Sequence, residues 1–413
     1  MSGSVSIAEA LALKPSQWSS FCGGAPSVTR IACVGDSLTA GDNFHSFDLS
    51  QVFRCRMSDA NCRGNFPLSL QELLGPAYQV TNHGIAGYAA CGNLPPECLE
   101  PSPPAPPPSV EANNQTTSPR LPLSVTATSA ELSDCTKALL RTDRKERSLL
   151  GRPIQLQPHV VVFMLGTNDA AGFSWDKCGA EGTRRAILLY IYALWKMLSP
   201  PPMIFLLTPP PVLGEFMPGK GCIASHMCRY HPSKSCWMLR ECANCGSDDK
   251  VDNPYCIRVP ELRKTRDIVE GIGSALRGAM SKGGGHGKCS TSPVHVLQMH
   301  RAVPANSLLF AGPVHLQAKA SALVACELHG AFSNTCGSNQ CAGVGGKHHD
   351  QQLGEAEQTV VYNSTAAAER HTAFCGQLRT RLESILRPPD DPQWDVLQQY
   401  LHPLRPRNRS KHG

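Results

Sequence analysis

The run His159 to Leu165, HVVVFML, constrains the fold more than any other stretch of this chain. It is almost wholly apolar, as a central parallel strand buried on both faces should be. Such a strand needs parallel neighbours and a layer of helices on each side. The sequence offers candidates for both. Ile31 to Val34 is a short apolar run that stops at Gly35, and Tyr78 to Thr81 is a second. Met203 to Leu207 is stopped by Thr208 and three prolines, and Val294 to Leu297 reads as the last strand. Phe66 to Leu74 reads as a helix with Leu70, Leu73 and Leu74 on one face. Thr183 to Leu198 reads as an amphipathic helix opened by a Thr cap and closed before Pro200. Val259 to Met280 has helical spacing, and Leu316 to Leu328 reads as a closing helix. The order predicts an α/β protein, a three-layer α/β/α sandwich on a five-stranded parallel sheet.

The chain has 413 residues, enough to bury a sizeable core. The expected organisation is an extension over 1–26, one α/β domain over 27–332 and a C-terminal extension over 333–413. Two insertions interrupt the domain. Residues 92–150 contain PSPPAPPPS and a Ser/Thr-rich stretch, so their first half is expected to be a disordered or extended loop. Residues 214–255 are rich in cysteine. Cys336 to Thr365 is glycine-rich and polar, a linker before a helix expected over Ala366 to Leu386.

The net charge of +6 is thinly spread, with its richest runs at Arg141 to Arg147 and Arg405 to Lys411. Neither is interleaved with aromatic residues, so both read as solvated surface and no nucleic-acid partner is expected. No stretch approaches the length of a transmembrane segment. Nineteen cysteines are many for a reducing compartment. Asn114, Asn363 and Asn408 open glycosylation-type triplets, yet the first 25 residues hold no apolar core of signal-peptide length. Localisation stays open: many free intracellular thiols, or a secreted or luminal chain whose leader lies outside this sequence. Cys222, Cys228, Cys236, Cys242, Cys245 and Cys256, with His226 and His231 among them, read as three disulfides, with zinc as the alternative. His348 and His349 read as solvated loop residues.

Four short segments carry the chemistry. Gly35-Asp36-Ser37-Leu38-Thr39 directly follows the first strand, where open α/β sheets place their ligands. A serine there can present its hydroxyl on a tight turn, and the amides that follow can face an oxyanion. Thr39 stands where the second glycine of a G-x-S-x-G elbow belongs, so this is not that motif. Asn82 to Gly87 forms a glycine turn after the second strand, and Gly166-Thr167-Asn168-Asp169 follows the third. The Asn168 amide can donate to developing negative charge. His315 stands just before the last helix. Asp36 and Asp169 read as structural acceptors for loop amides beside the site.

IACVGDSLTAG resembles the first block of the GDSL or SGNH hydrolase family, NHGIAGYAA its glycine block and VVFMLGTNDA its asparagine block. FPLSLQELLG and IFLLTPPPV are also similar to segments between the family's blocks, and GPVHLQAKASALVA to its histidine block. The resemblance runs from Ile31 to about Phe332, apart from the insertions. It implies a flavodoxin-like α/β/α fold and a serine ester hydrolase needing no cofactor. Ser37 would be the nucleophile, His315 its general base, and Ser37, Gly84 and Asn168 the oxyanion donors. The substrate would be a small-molecule, glycan or lipid ester. The family's aspartate three residues before the histidine is replaced here by Gly312. That leaves a Ser-His dyad oriented by a backbone carbonyl or water, or a catalytically impaired ligand- or carbohydrate-binding protein. In another serine hydrolase, losing the aspartate's function costs ~10⁴ in turnover.

Overall fold

A computed structural model of the chain describes residues 5–6, 28–41, 64–98, 126–127, 129–140, 148–212, 215, 257–283, 293–304, 309–310, 314–337, 369, 373–380 and 382. Five strands form one all-parallel sheet: β1 (Thr29–Gly35), β2 (Tyr78–Gly84), β3 (Val160–Met164), β4 (Met203–Leu207) and β5 (Val294–Leu297). Their spatial order is β2-β1-β3-β4-β5, the doubly wound order with its switch point between β1 and β3. The eight labelled helices are α1 (Ser37–Ala40), α2 (Phe66–Leu74), α3 (Ser129–Leu139), α4 (Gly151–Gln155), α5 (Gly172–Met197), α6 (Val259–Gly283), α7 (Met299–Ala302) and α8 (Ala318–Gly337).

The expected α/β sandwich is present, and strand alternation explains its three layers. Ala32 and Val34 of β1, Val161 and Phe163 of β3, and Ile204 and Leu206 of β4 face one core with α5 and α6. The residues between them, Ile31 and Cys33, Val160 and Val162, Phe205 and Leu207, face a second core with α2 and α8. Every residue of β3 and β4 is buried, so both faces of these strands contribute. Fully burying one such aliphatic side chain contributes about 1.5–3 kcal/mol.

The helices depart from expectation at their ends. Helix α2 starts as its sequence suggests, with Asn65 Oδ1 accepting from the Leu68 amide at 3.1 Å. Helix α5 begins at Gly172 and not at Thr183. It kinks at Gly179, where φ is 59°, and Thr183 donates its hydroxyl to the Gly179 carbonyl at 2.9 Å instead of capping. The glycine-broken stretch from Gly172 to Gly182 hides the start of this helix from a periodicity argument. At the other end of the domain Leu316 precedes α8 in an antiparallel bridge with Phe310, and the helix continues past residue 332 to Gly337.

Among the described residues, three disulfides tie outlying segments to the sandwich. Cys98–Cys135 joins the 3₁₀ turn Pro96–Cys98 to α3, and Cys91–Cys178 joins the segment after β2 to α5. Cys326–Cys375 joins α8 to the helical residues 373–380 of the C-terminal extension, whose Cys375 and Leu382 enter the second core. Val5–Ser6 pairs antiparallel with Thr126–Ala127. The expected Cys222 to Cys256 cluster with His226 and His231, the proline-rich loop, Arg141 to Arg147, Arg405 to Lys411, the three glycosylation-type asparagines, His348, His349 and Gly312 lie outside the described residues.

Candidate active site

Ser37 heads α1 immediately beyond β1, at the carboxyl edge of the sheet beside the switch point. Asp36 shapes this turn. Its carboxylate accepts from the Leu38 amide at 2.8 Å, and its carbonyl accepts from the Thr39 and Ala40 amides at 3.2 and 3.0 Å. Of the turn's first four amides, that of Ser37 has no acceptor among the described residues. A helix start always leaves such donors, and here one lies beside the serine hydroxyl.

The turn depends on two close approaches that only glycine permits. A Cβ on Gly35 would come within 2.1 Å of Thr39 Oγ1, and one on Gly84 within 2.1 Å of the Ala40 nitrogen. Gly84 is the last residue of β2, in register with Gly35, and does not lie in a turn beyond the strand. Its amide donates to Asn82 Oδ1 at 2.9 Å. The Asn82 side chain in turn donates to the Thr39 carbonyl at 2.9 Å.

His315 reaches this turn from the far end of the domain. Its Nε2 lies 2.9 Å from Ser37 Oγ, across 278 residues of sequence. The neighbouring Leu316 is buried, and its carbonyl accepts from the Gly64 amide at 2.9 Å. Gln317 is held by the Leu309 carbonyl at 2.8 Å, and its side chain by the Phe310 carbonyl at 3.1 Å. These bonds fix the backbone on the C-terminal side of the imidazole.

Asn168 opens a 3₁₀ turn beyond β3. Its Nδ2 donates to the Tyr88 carbonyl at 3.1 Å. An amide nitrogen carries two hydrogens, and this bond uses one of them. Asp169 beside it accepts from the Ala90 amide at 2.7 Å and the Cys91 amide at 2.8 Å, one on each carboxylate oxygen. Sequence reasoning missed the segment Tyr88–Cys91, which grips both residues of this turn. Cys91 was the visible signal, but its partner Cys178 is 87 residues away.

Burial dominates the electrostatics. Asp36 and Asp169 are both fully buried, and burial pushes their carboxyls up to about 7 and about 6. The Leu38 amide opposes the rise at Asp36, and the charge of Asp169 adds to it. The Cys91 and Ala90 amides oppose the rise at Asp169. His83 is held down at about 4 by burial and then by the charge of Arg152, so it stays neutral. Farther along the edge, Arg266 pairs with buried Glu215 at 2.7 Å and donates to the Pro209 and Pro210 carbonyls. Arg258 donates its amide to the Ala170 carbonyl at 3.0 Å. Both described flanks of residues 216–256 therefore attach at the carboxyl edge of the sheet. Among the described residues no cluster of three or more His, Cys, Asp or Glu could hold a metal ion. Among them also, no helix is long and apolar enough to cross a membrane.

No protein-family model matches the chain, and no curated protein matches it. Among solved structures, it is similar to a protein from Agrobacterium tumefaciens str. C58 provisionally designated an arylesterase. The TM-score is 0.38 at 15% identity, covering 75% of this chain and 100% of that one.

Proposed function

We propose that the chain is a serine ester hydrolase working through an acyl-Ser37 intermediate. The observation that carries the reading is the 2.9 Å contact between His315 Nε2 and Ser37 Oγ at the carboxyl edge of the sheet. Ser37 Oγ attacks the ester carbonyl while its proton passes to His315 Nε2. The tetrahedral oxyanion takes hydrogen bonds from the Ser37 amide and the Asn168 side chain. The Gly84 amide joins them only by leaving Asn82 Oδ1, its acceptor in this structure. Collapse breaks the bond to the alcohol, which leaves with the proton from His315. Water then gives a proton to His315 and attacks acyl-Ser37, and the returned proton releases serine and the carboxylic acid. No cofactor takes part in these steps. The substrate is a small-molecule, glycan or lipid ester.

The test is a fluorophosphonate probe and a short-chain nitrophenyl ester, applied to wild type and Ser37→Ala. Wild type is expected to be labelled and to turn over. Ser37→Ala is expected to resist labelling and lose about 10⁴–10⁶ in kcat. A wild-type protein that neither reacts nor turns over is instead the impaired binding protein that Gly312 would produce.

A further inference from the structure

The Tyr88–Cys91 segment has more to do than connect β2 to the rest of the chain. Its backbone meets the Asn168 turn three times: the Tyr88 carbonyl accepts from Asn168 Nδ2, and the Ala90 and Cys91 amides donate to the Asp169 carboxylate. The segment is itself secured to α5 at two points. Cys91 is cross-linked to Cys178, next to the Gly179 kink. The Tyr190 hydroxyl lies 2.8 Å from that of Tyr88 and donates to the Ala90 carbonyl at 3.3 Å. Tyr88, Ala90, Cys91 and Tyr190 are all buried in one core.

From this chain of contacts we infer that the Cys91–Cys178 disulfide and Tyr190 are positioning elements for the oxyanion donor Asn168. The inference rests on the esterase reading for its effect on catalysis, but its structural content stands apart. Asp169 accepts no bond from α5 in this network. It lies three residues before Gly172, where α5 begins, and its carboxylate is held by the segment that the disulfide ties to that helix farther along, at Cys178. Without the cross-link, the Ala90 and Cys91 amides are free to drift from Asp169, and the Tyr88 carbonyl from Asn168. A donor displaced by an ångström loses much of its use in the transition state while ground-state binding changes little.

The test pairs Cys91→Ala/Cys178→Ala with Tyr190→Phe in the full chain, each made in wild-type and Asn168→Ala backgrounds. The double cysteine variant is expected to lose about 10–100-fold in kcat with KM within about twofold. Tyr190→Phe keeps its ring in the core and is expected to lose about threefold, again in kcat. In the Asn168→Ala background neither change should lower kcat further, because the group being positioned is gone. Equal losses in both backgrounds would mean general destabilisation and overturn the inference. Hydrogen exchange at the Ala90 and Cys91 amides gives a readout that needs no turnover. Faster exchange in the cysteine variant supports the inference, and unchanged exchange overturns it even in a protein inert to fluorophosphonate. Failure of wild type to label with the probe would instead sink the esterase reading and leave the exchange result to decide the structural inference.

Discussion

The turns after β1 and β3 are built alike and held differently. Each ends a buried parallel strand, and each carries one polar residue that we propose for the site, Ser37 or Asn168, beside a fully buried aspartate. Asp36 works locally, its carboxylate capping an amide two residues away. Asp169 works at long range, its carboxylate taking two amides 79 and 78 residues away. The protonation behaviour follows from this. Burial raises both groups; the Leu38 amide, its own amide and the Thr167 hydroxyl oppose it at Asp36, which also feels the charge of Asp169, while the Cys91 and Ala90 amides and its own oppose it at Asp169. The Asp36 carboxylate takes its amide from within its own turn, and the Asp169 carboxylate waits for a second segment to arrive.

Catalysis offers the largest contrast between them. Asn168→Ala removes a donor and leaves the Ser37 turn intact, so kcat on a nitrophenyl ester should fall about 10²–10³-fold with KM nearly unchanged. A change confined to KM would mean that the β3 turn binds substrate without acting in the transition state. Stability comes next. Asp169→Ala orphans two buried amides at about 1–3 kcal/mol each, so a loss of about 3 kcal/mol is expected in urea unfolding. Asp36→Ala removes one local cap, for about 1 kcal/mol. Equal losses would erase the distinction between local and long-range support.

The smallest effect is in pH dependence, and it sharpens the comparison. A carboxyl whose folded pKa is raised binds more protons folded than unfolded in the window between the two values. Its contribution is fully present below the unfolded value and is lost as pH rises through the folded one. The ordinary aspartate value is 3.8, so the window runs up to about 6 for Asp169 and about 7 for Asp36. Asp36→Asn keeps an acceptor for Leu38 but cannot ionise. The decline in its unfolding free energy across this window should be shallower than in wild type, with the difference persisting to the higher pH. A variant with the wild-type slope would show that Asp36 does not titrate there.

Much of the sheet was legible because apolar runs of strand length admit few other readings. Met203–Leu207, Val294–Leu297 and helix Phe66–Leu74 have the bounds their patterns suggest. Gly172 to Gly182 was not legible as the start of α5, because its glycines and charges blur the helical period. Gly84 was expected beyond its strand as an amide donor, but it ends the strand and binds Asn82. Its immediate constraint is the closeness of the α1 backbone, which no local pattern reveals.

The sequence by itself determined which segments become strands, that the run before Gly166 is buried on both faces, and that polar residues follow β1 and β3. Those properties depend on side-chain size, polarity and period over a few neighbouring positions. Only the tertiary structure decided that His315 meets Ser37, that Cys91 pairs with Cys178, and that Asp169 grips the segment after β2. Such pairings require atoms within hydrogen-bonding or covalent range, and those distances exist only once the order of strands in the sheet has been set.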